Sequence, residues 1–436
     1  MNDDKPDSLS ISNEDRMYLR ATRYISLTAA ALLFLSWISV SSCQRASDTI
    51  GSEESPANLQ HVLSLVDSLQ VAGQTLMYIR IYANYPSYEP AGTPGEGIAC
   101  VDDAGRLMEV LEIEILQFER LDLIPIARGI TRFLLYMQRA DGLWYNFIYA
   151  DGSINKTHKN SIAEFSWWAA RGMRGLAAAY NVFHKRDPIF ADSVLMRFKL
   201  GEPHLDAILA HYPHTIDTPL GLRAGWLVNS APDQSAEVLL ALAKMHLISP
   251  ADYSDEIRML ADGLLTYQYI NRESSIHGMF FCWENVWHNW GNLQALALLE
   301  SFAIHQDSTY LTAVERWADH FLAWTAKQGY HWEIKVTGGG TITTVDFPQI
   351  AYGFTSSYKG IRRLAAITLL PAHEALAEQL LEWFQGNNRA GQAMYDPATG
   401  RCFDGIESES EINLNSGAES TIEALLALQA SIPVSN

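Results

Sequence analysis

Carboxyl-bearing residues stand at the starts of several apolar helical segments in this chain of 436 residues. Asp102 and Asp103 open the first such segment, and Glu419 opens the last. When two carboxyl groups lie close together, repulsion raises the pKa of one and leaves the other ionised. Such a pair can act as general acid and general base on a glycosidic bond. Asp103 and Glu419, with Asp102 beside them, are therefore the first candidate catalytic group.

A second carboxylate pair, Glu284 and Asp346, precedes the fourth and fifth apolar segments. His288 lies one helical turn beyond Glu284, where it either serves the site or is an ordinary hydrogen-bonded histidine. Tyr145 and Tyr352 could act as lyase bases, although no neighbouring arginine-rich run indicates a uronate site. Trp283 and Trp332 are further aromatic candidates. The side chains that we expect to bind substrate are Arg106, Trp144, Tyr145, Trp167, Trp168, Trp287, His288, Asn289 and Gln349.

The composition narrows the classes of partner. The chain has 31 Lys and Arg against 50 Asp and Glu, for a formal net charge of −19. Nucleic-acid binding needs a concentrated positive field, so this charge argues against a nucleic-acid partner. A hydrophobic content of 48% excludes a disordered chain. The 12 Trp and 19 Tyr residues supply flat faces with a polar edge, for which sugar rings are a natural partner.

Helical periodicity extends over almost the whole chain from residue 59. Amphipathic segments alternate with segments that are apolar nearly all round, and helices of the second kind are normally buried. The amphipathic segments are 59–83, 121–139, 188–211, 252–271, 307–327 and 372–386. The apolar segments are 101–117, 162–181, 233–247, 286–304, 349–369 and 416–430. This alternation predicts an all-α (α/α)6 toroid, with short β-hairpins on one rim at 142–153, 276–283, 330–344 and 394–412.

In such a toroid the six inner helices begin around one mouth. The first and last hairpins of the closed ring are neighbours, which places Asp102 and Asp103 beside Glu419. Ordinary capping could explain part of the polarity at these helix starts. Ser416 and Glu419 have the spacing of a capping box, and Asp102 and Arg106 have that of an i, i+4 ion pair. Capping and catalysis are therefore both open for each carboxylate.

Several stretches resemble motifs of a known bacterial domain. They are CVDDAGR at 100–106, DGLWYNF at 141–147, WAARG at 168–172, GRCFDG at 400–405 and NLNSGAES at 413–420. The first is similar to a C-[VT]-D-D-x-x-R motif, and the last two resemble a C-terminal signature. The domain belongs to the six-hairpin glycosidase-like class and occurs alone or fused to glycosyltransferases. The resemblance covers about residues 90–430 and implies the toroid fold; the class contains glycoside hydrolases, polysaccharide lyases and sugar epimerases.

The N-terminal region has the features of an export signal. An uncharged apolar run at 25–40 follows three arginines, and the stretch Val-Ser-Ser-Cys at 40–43 resembles a bacterial lipobox. In lipoproteins of this kind the cysteine, here Cys43, is acylated after cleavage. We expect an exported lipoprotein anchored at the outer membrane or periplasmic face, with a retained anchor helix as the alternative. The predicted division is a signal peptide at 1–42, a tether at 43–58 and a single toroid domain at 59–432.

The other three cysteines, Cys100, Cys282 and Cys402, cannot all be paired and lack C-x-x-C spacing. We expect them to be buried free thiols. Cys282 with Glu284 could bind zinc, as in some six-hairpin arabinofuranosidases, but the spacing of those enzymes is absent. The sequence therefore predicts no metal and no cofactor.

These features favour an exported enzyme that hydrolyses glycosidic bonds of an oligo- or polysaccharide. A polysaccharide lyase or uronate epimerase on the same fold, and a non-catalytic glycan-binding lipoprotein, are the alternatives. The arrangement of side chains at the mouth would distinguish these three functions. A hydrolase requires two carboxyl groups across the mouth, a lyase requires Tyr or His beside Arg or Lys, and a binding module leaves the acids as helix caps.

Overall fold

Six helices form a closed inner ring in the computed structural model, which describes residues 54–71 and 73–432. With helices numbered in chain order, the inner ones are α2 (Val101–Gln117), α4 (Trp167–Phe183), α7 (Pro232–Ile248), α9 (Gln294–His305), α12 (Ala351–Thr368) and α14 (Ala418–Ala430). Each packs against the next, and α14 returns to pack against α2. The predicted (α/α)6 toroid is confirmed, and its first and last hairpins are neighbours.

Glycines let two of the inner helices approach closely. A Cβ atom on Gly105 of α2 would lie 2.5 Å from the carbonyl oxygen of Arg171 in α4. A Cβ atom on Gly175 would lie 2.8 Å from the Cα atom of Gly105. Any larger residue would push the helices apart. The two backbones therefore touch, and the polar first turns of α2 and α4 share one side of the mouth.

Amphipathic helices cover the outside of the ring at five positions in the described part of the chain. They are α3 (Ile124–Met137), α5 (Pro188–Lys199) with α6 (Glu202–Leu209), α8 (Ser254–Thr266), α10 (Ser308–Arg316) with α11 (Ala323–Lys327), and α13 (Pro371–Glu382). A π-helical turn, Trp317–Leu322, joins α10 to α11. Single 3₁₀ turns lie at Leu121–Leu123, Lys159–Ser161, Val228–Ser230 and Trp383–Gln385.

The predicted outer helix at 59–83 is wrong. Only α1 (Gln60–Ser64) is helical there, and it is followed by an antiparallel hairpin of β1 (Val66–Val71) and β2 (Gln74–Ile79). Polar and apolar residues alternate through much of this stretch, which suits a strand with one covered face. Met77 of β2 packs over Gly129 of α3. The hairpin thus covers α3.

The remaining strands are short and connect helices. They are β3 (Tyr82–Ala83) with β4 (Pro90–Ala91), β5 (Ala99–Cys100) with β6 (Phe147–Ile148), β7 (Thr215–Thr218) with β8 (Gly221–Ala224), β9 (Val286–His288) with β10 (Glu333–Val336) and β11 (Ile342–Val345), β12 (Tyr395–Asp396) with β13 (Arg401–Cys402), and β14 (Gly405–Ser408) with β15 (Glu411–Asn413). All pairs are antiparallel.

Two of the four predicted rim hairpins are confirmed, at 330–344 and 394–412. The stretch at 142–153 contributes only β6, and 276–283 contains no strand. The fourth inner helix begins at Gln294 instead of near 286, because the residues before it form β9 and a loop. Trp287 and His288 are therefore strand residues and do not lie at a helix start.

The end of the predicted tether already contacts the toroid. The Ser55 hydroxyl donates to Glu114 at 2.5 Å, and the Asn58 amide donates to the Tyr395 hydroxyl at 3.2 Å. The predicted signal peptide and Cys43 lie outside the described residues. Within 54–71 and 73–432, no helix combines the length and hydropathy that crossing a bilayer requires.

Candidate active site

A cavity of about 740 Å³ opens at the mouth of the toroid where inner helices begin. Its acidic lining residues are Glu96, Asp102, Asp103, Asp404, Glu407 and Glu419. Its aromatic lining residues are Tyr82, Phe147, Trp167, Trp168, Trp290, Trp332 and Tyr352. Arg106 and Arg171 are the cationic side chains of this lining. The mouth therefore combines carboxyl groups, indoles and two arginines in one concave surface.

Arg106 links the two ends of the ring. Its Nη1 lies 3.1 Å from Asp103 Oδ1, and its Nη2 lies 2.8 Å from Glu419 Oε2. Its Nε lies 3.5 Å from Glu423 Oε1. Asp103 belongs to α2, while both glutamates belong to α14. The structure thus brings together Asp103 and Glu419, which are more than 300 residues apart in the sequence.

Arg171 contacts the second aspartate, Asp102. Its Nη1 lies 3.0 Å from Asp102 Oδ1, and its Nη2 donates to the Tyr352 hydroxyl at 2.6 Å. The amide of Asn146 donates to the other oxygen of Asp102 at 2.9 Å. The Tyr352 hydroxyl in turn donates to Glu237 at 3.1 Å. Asp102 therefore has both oxygens engaged, in an arrangement separate from that of Asp103.

The candidate catalytic carboxyl groups do not cap the helices on which they lie. The Asn146 side-chain oxygen accepts from the backbone amides of Val101 and Asp102, at 3.0 and 3.2 Å. At α14 the carboxylate of Asp404 accepts from the backbone amide of Gly417 at 2.8 Å. Other side chains thus cap α2 and α14. The carboxyl groups of Asp102, Asp103 and Glu419 are not used as caps, and all three residues line the cavity.

Two of the local expectations are therefore corrected. Ser416 and Glu419 do not form a capping box, because Glu419 turns to Arg106. Asp102 and Arg106 do not form the i, i+4 pair. Arg106 pairs with Asp103 at i, i+3, while Asp102 pairs across the helix interface with Arg171.

The environment raises the pKa of two of the clustered carboxyl groups. Burial raises the pKa of Asp103 to about 6, although Arg106 opposes the shift and Glu419 adds to it. Burial likewise raises the pKa of Glu423 to about 7, against Arg106 and Lys359. Asp103 therefore exchanges its proton near neutral pH, which suits a general acid.

Some of the candidate tryptophans line the cavity, and others are buried in the core. Trp167 and Trp168 line the cavity as expected, and Trp167 lies against Trp290 with ring centroids 5.6 Å apart. Trp144 is fully buried and donates its indole hydrogen to the Leu134 carbonyl at 3.0 Å. Trp287 is buried and packs edge-on against Phe321. Trp144 and Trp287 belong to the core and are not substrate platforms.

Several polar candidates lie outside the cavity lining. Gln349 is fully buried and bonds to Gly329 and Trp383. Asn289 is buried beside the backbone of Gly353. The ring of Tyr145 carries Arg139 and Lys156 at its face and does not line the cavity. These three residues are therefore not placed to bind substrate, because tertiary contacts already satisfy or cover their side chains.

The second carboxylate pair also lies outside the cavity lining. Asp346 accepts from His331 Nδ1 at 2.6 Å and lies 3.1 Å from Arg389. Glu284 sits in a left-handed turn, with φ of 45°, just before β9. His288 lies behind Trp290 and contacts Asp233 and Cys282, a group that could hold a metal ion. Glu284 and Asp346 are therefore not brought together at the mouth.

Sequence reasoning missed several lining residues, among them Tyr82, Glu96, Asn146 and Asp404. The Tyr82 hydroxyl donates to Glu96 at 2.6 Å at the edge of the cavity. Both precede α2: Tyr82 lies at the end of the stretch predicted to be an outer helix, and Glu96 lies in the connection that follows it, so neither belongs to a motif that marks it. Asn146 and Asp404 lie inside the DGLWYNF and GRCFDG motifs, where the resemblance could have pointed to them.

By sequence, no family model and no curated protein matches the chain. Solved structures share its fold. Cellobiose 2-epimerase from Bacillus thermoamylovorans has a TM-score of 0.62 and 12% identity, covering 86% of this chain and 96% of that one. A D-mannose isomerase has a TM-score of 0.55 and 13% identity, covering 81% and 91%. A family 76 glycoside hydrolase from a bovine Bacteroides thetaiotaomicron strain has a TM-score of 0.51 and 14% identity, covering 85% and 76%.

These likenesses define the class of fold. The chain has the (α/α)6 toroid fold that these solved structures share. At 10–14% identity the similarity establishes architecture alone. One architecture carries epimerases, an isomerase and hydrolases, so the chemistry of this chain has to be argued from its own mouth residues.

The pH dependence of stability reports on Asp103. Its pKa of about 6 in the folded chain exceeds the ordinary value of 3.8, so the folded state loses stability as the pH rises from about 4 to about 6. The shift corresponds to a change on the order of 3 kcal/mol. Relative to wild type, Asp103→Asn is expected to gain stability across this window. Urea unfolding at about pH 4 and about pH 7.5 measures the difference.

Asp151→Asn is the matched control. Hydrogen bonds from Ser153 lower the pKa of Asp151 on the surface. A lowered pKa confines the associated stability change to pH values below about 4, so this variant is expected to differ from wild type by nearly the same amount at about pH 4 and about pH 7.5. Parallel pH profiles for wild type and Asp103→Asn would contradict the assignment.

Proposed function

We propose that the chain is a carbohydrate-active enzyme and, specifically, a glycoside hydrolase that uses carboxyl groups at the mouth of the toroid. The observation that carries the proposal is the shared guanidinium of Arg106, which holds Asp103 and Glu419 in one cavity. Inverting hydrolysis needs two carboxyl groups roughly 6.5–9.5 Å apart. A guanidinium that contacts both carboxylates keeps them near each other without direct contact between them. Indoles beside the pair provide faces for sugar rings.

The proposed roles follow from burial. Asp103 has the raised pKa, so it donates its proton to the glycosidic oxygen as the bond to the anomeric carbon breaks. Glu419 is about half exposed, with 46% of its side chain accessible, and accepts a proton from the attacking water. That water oxygen bonds to the anomeric carbon. Asp102, fixed by Arg171 and Asn146, is placed to accept hydrogen bonds from sugar hydroxyls.

The lyase and uronate epimerase alternatives have one supporting contact. Tyr352 lies beside Arg171 and Arg106, with guanidinium carbons 5.0 and 4.8 Å from its ring centroid. Burial, however, raises the pKa of Tyr352 well above its usual value, which makes its phenolate a poor resting base. Both arginines already pair with carboxylates, and the lining holds six acidic residues. A uronate would be repelled, so hydrolysis of a neutral glycan is favoured.

A release assay tests the proposed pair. The purified full-length chain in detergent would be incubated with neutral and acidic glycans, and reducing ends would be read together with absorbance of unsaturated uronates. Asp103→Asn and Glu419→Gln are each expected to lower kcat/KM by roughly 10²–10⁴-fold, since each removes one proton-transfer group. Reducing ends without the uronate absorbance are expected from wild type.

Glu284→Gln is the matched control, because Glu284 lies outside the cavity lining, and its activity should equal that of wild type. Uronate absorbance would replace the proposal by a lyase. Full activity in both mouth variants would contradict the pair, and glycan binding without turnover would favour a binding protein.

The pH profile separates the acid from the base. Because Asp103 must be protonated to act, kcat/KM is expected to fall as the pH rises through about 6, the pKa of its carboxyl group. Asp103→Asn should abolish this basic limb in the residual activity, whereas Glu419→Gln should keep it. A basic limb that persists in Asp103→Asn would assign the general acid to another group.

We further infer, from the sequence alone, that the chain is exported and anchored by lipid at Cys43. Incorporation of a palmitate analogue in a Gram-negative host, with mass analysis of the N-terminal peptide, tests this. Wild type should be cleaved before Cys43 and labelled, whereas Cys43→Ser should be neither. Ser42→Ala keeps a small residue before the cysteine and should behave as wild type. A labelled Cys43→Ser variant would refute the anchor.

A further inference from the structure

Behind the mouth, three metal-ligating side chain types converge from different parts of the chain. Asp233 comes from the first turn of α7, Cys282 from the connection before α9, and His288 from β9. Their ligand atoms all lie within 4.8 Å of one another. Asp233 Oδ2 is 3.0 Å from His288 Nε2. We propose that these residues, with Asn292, bind one zinc-class transition-metal ion that holds the wall of the mouth in place.

The separations suit a single ion. Zinc is bound at about 2.0–2.3 Å, so tetrahedral ligand atoms lie about 3.3–3.8 Å apart. The observed spacings, 3.0 Å between Asp233 and His288 and at most 4.8 Å to the Cys282 sulfur, bracket that range. The side-chain oxygen of Asn292 is 3.5 Å from the same sulfur and provides the fourth donor.

Neighbouring groups orient the ligands toward one point. The Trp290 carbonyl lies 2.7 Å from His288 Nδ1 and accepts its hydrogen, so Nε2, which lies 3.0 Å from Asp233 Oδ2, is the nitrogen that would bind the ion once its own hydrogen is displaced. Metal-bound histidines commonly hold their second nitrogen in this way. The Asn292 amide nitrogen donates to the His288 carbonyl at 2.7 Å, which turns its oxygen toward Cys282.

The donor set selects the class of metal. One thiolate, one imidazole and two oxygen donors suit zinc, whereas magnesium and calcium prefer oxygen alone. Binding displaces both the Cys282 thiol proton and the His288 Nε2 proton that faces Asp233, and both protons pass to solvent. The charge of the divalent ion is then balanced by the Cys282 thiolate and the Asp233 carboxylate. Since Asp233 and Cys282 are buried, a neutral complex avoids leaving an isolated charge in the interior.

The ion would act as a structural clamp. His288 stacks on Trp290 at 3.6 Å between ring centroids, and Trp290 lines the cavity next to Trp167. None of the four proposed ligands lines the cavity, so the ion takes no part in the proposed hydrolysis. Joining α7 to β9 fixes the position of Trp290 from behind. This departs from the expectation of no metal, which rested on cysteine spacing along the chain.

Metal content of the full-length chain in detergent tests the site. After equilibration with zinc chloride and removal of free metal, wild type is expected to retain about one zinc per chain. Cys282→Ser and Asp233→Asn should lose at least tenfold of the affinity. Cys402→Ser replaces another buried free thiol and should retain the metal. Wild type should also unfold at a higher temperature with zinc than after chelation.

Cobalt substitution keeps the test independent of variant folding. Cobalt bound by wild type should show thiolate charge-transfer absorption and the visible bands of a tetrahedral site. The proposal would be overturned if Cys282→Ser retained zinc at wild-type affinity. It would also be overturned if wild type retained no zinc and gave no thiolate band with cobalt. Because glycan release is not the readout, this outcome is separate from failure of the proposed hydrolysis.

Discussion

Arg106 lies where the ring of inner helices closes, and its guanidinium contacts carboxylates from both sides of that closure. A buried charge is tolerated only when it is paired, so α2 and α14 must meet in this register. Deeper along the axis of the ring, Arg174 likewise contacts two carboxylates, those of Glu109 and Glu237. Arg174 and Arg171 outweigh burial and lower the pKa of Glu237 to about 2. The toroid is thus apolar between its layers and ionic along its axis.

This ionic axis makes one residue type behave in two ways at the mouth. Asp102 has one oxygen held by Arg171 and the other by Asn146. Asp103 is buried deeper, and burial outweighs its contact with Arg106, which raises its pKa. The two aspartates are adjacent in the sequence but face different helices. A difference in burial and in partners, and not in residue type, therefore distinguishes the proposed proton donor.

Much of the architecture could be predicted from the sequence because helix periodicity is a local property. The alternation of amphipathic and apolar segments identified the inner helices and the long-loop rim. It failed at 59–83, where alternating residues form the β1–β2 hairpin, and near 286, where a strand precedes α9. The sequence analysis also assigned Trp144 to the site. An indole that stacks on substrate and one that fills a core cannot be distinguished from the sequence alone.

The sequence by itself determined the ring, its polar mouth and the proximity of Asp102 and Asp103 to Glu419, since closure of six hairpins makes the first and last neighbours. Only the tertiary structure decided which acid pairs with which arginine, which tryptophans face the cavity and that Asp233 meets Cys282. These outcomes depend on side-chain direction and burial at helix interfaces. Contacts between residues far apart in the chain set both, and no local spacing records them.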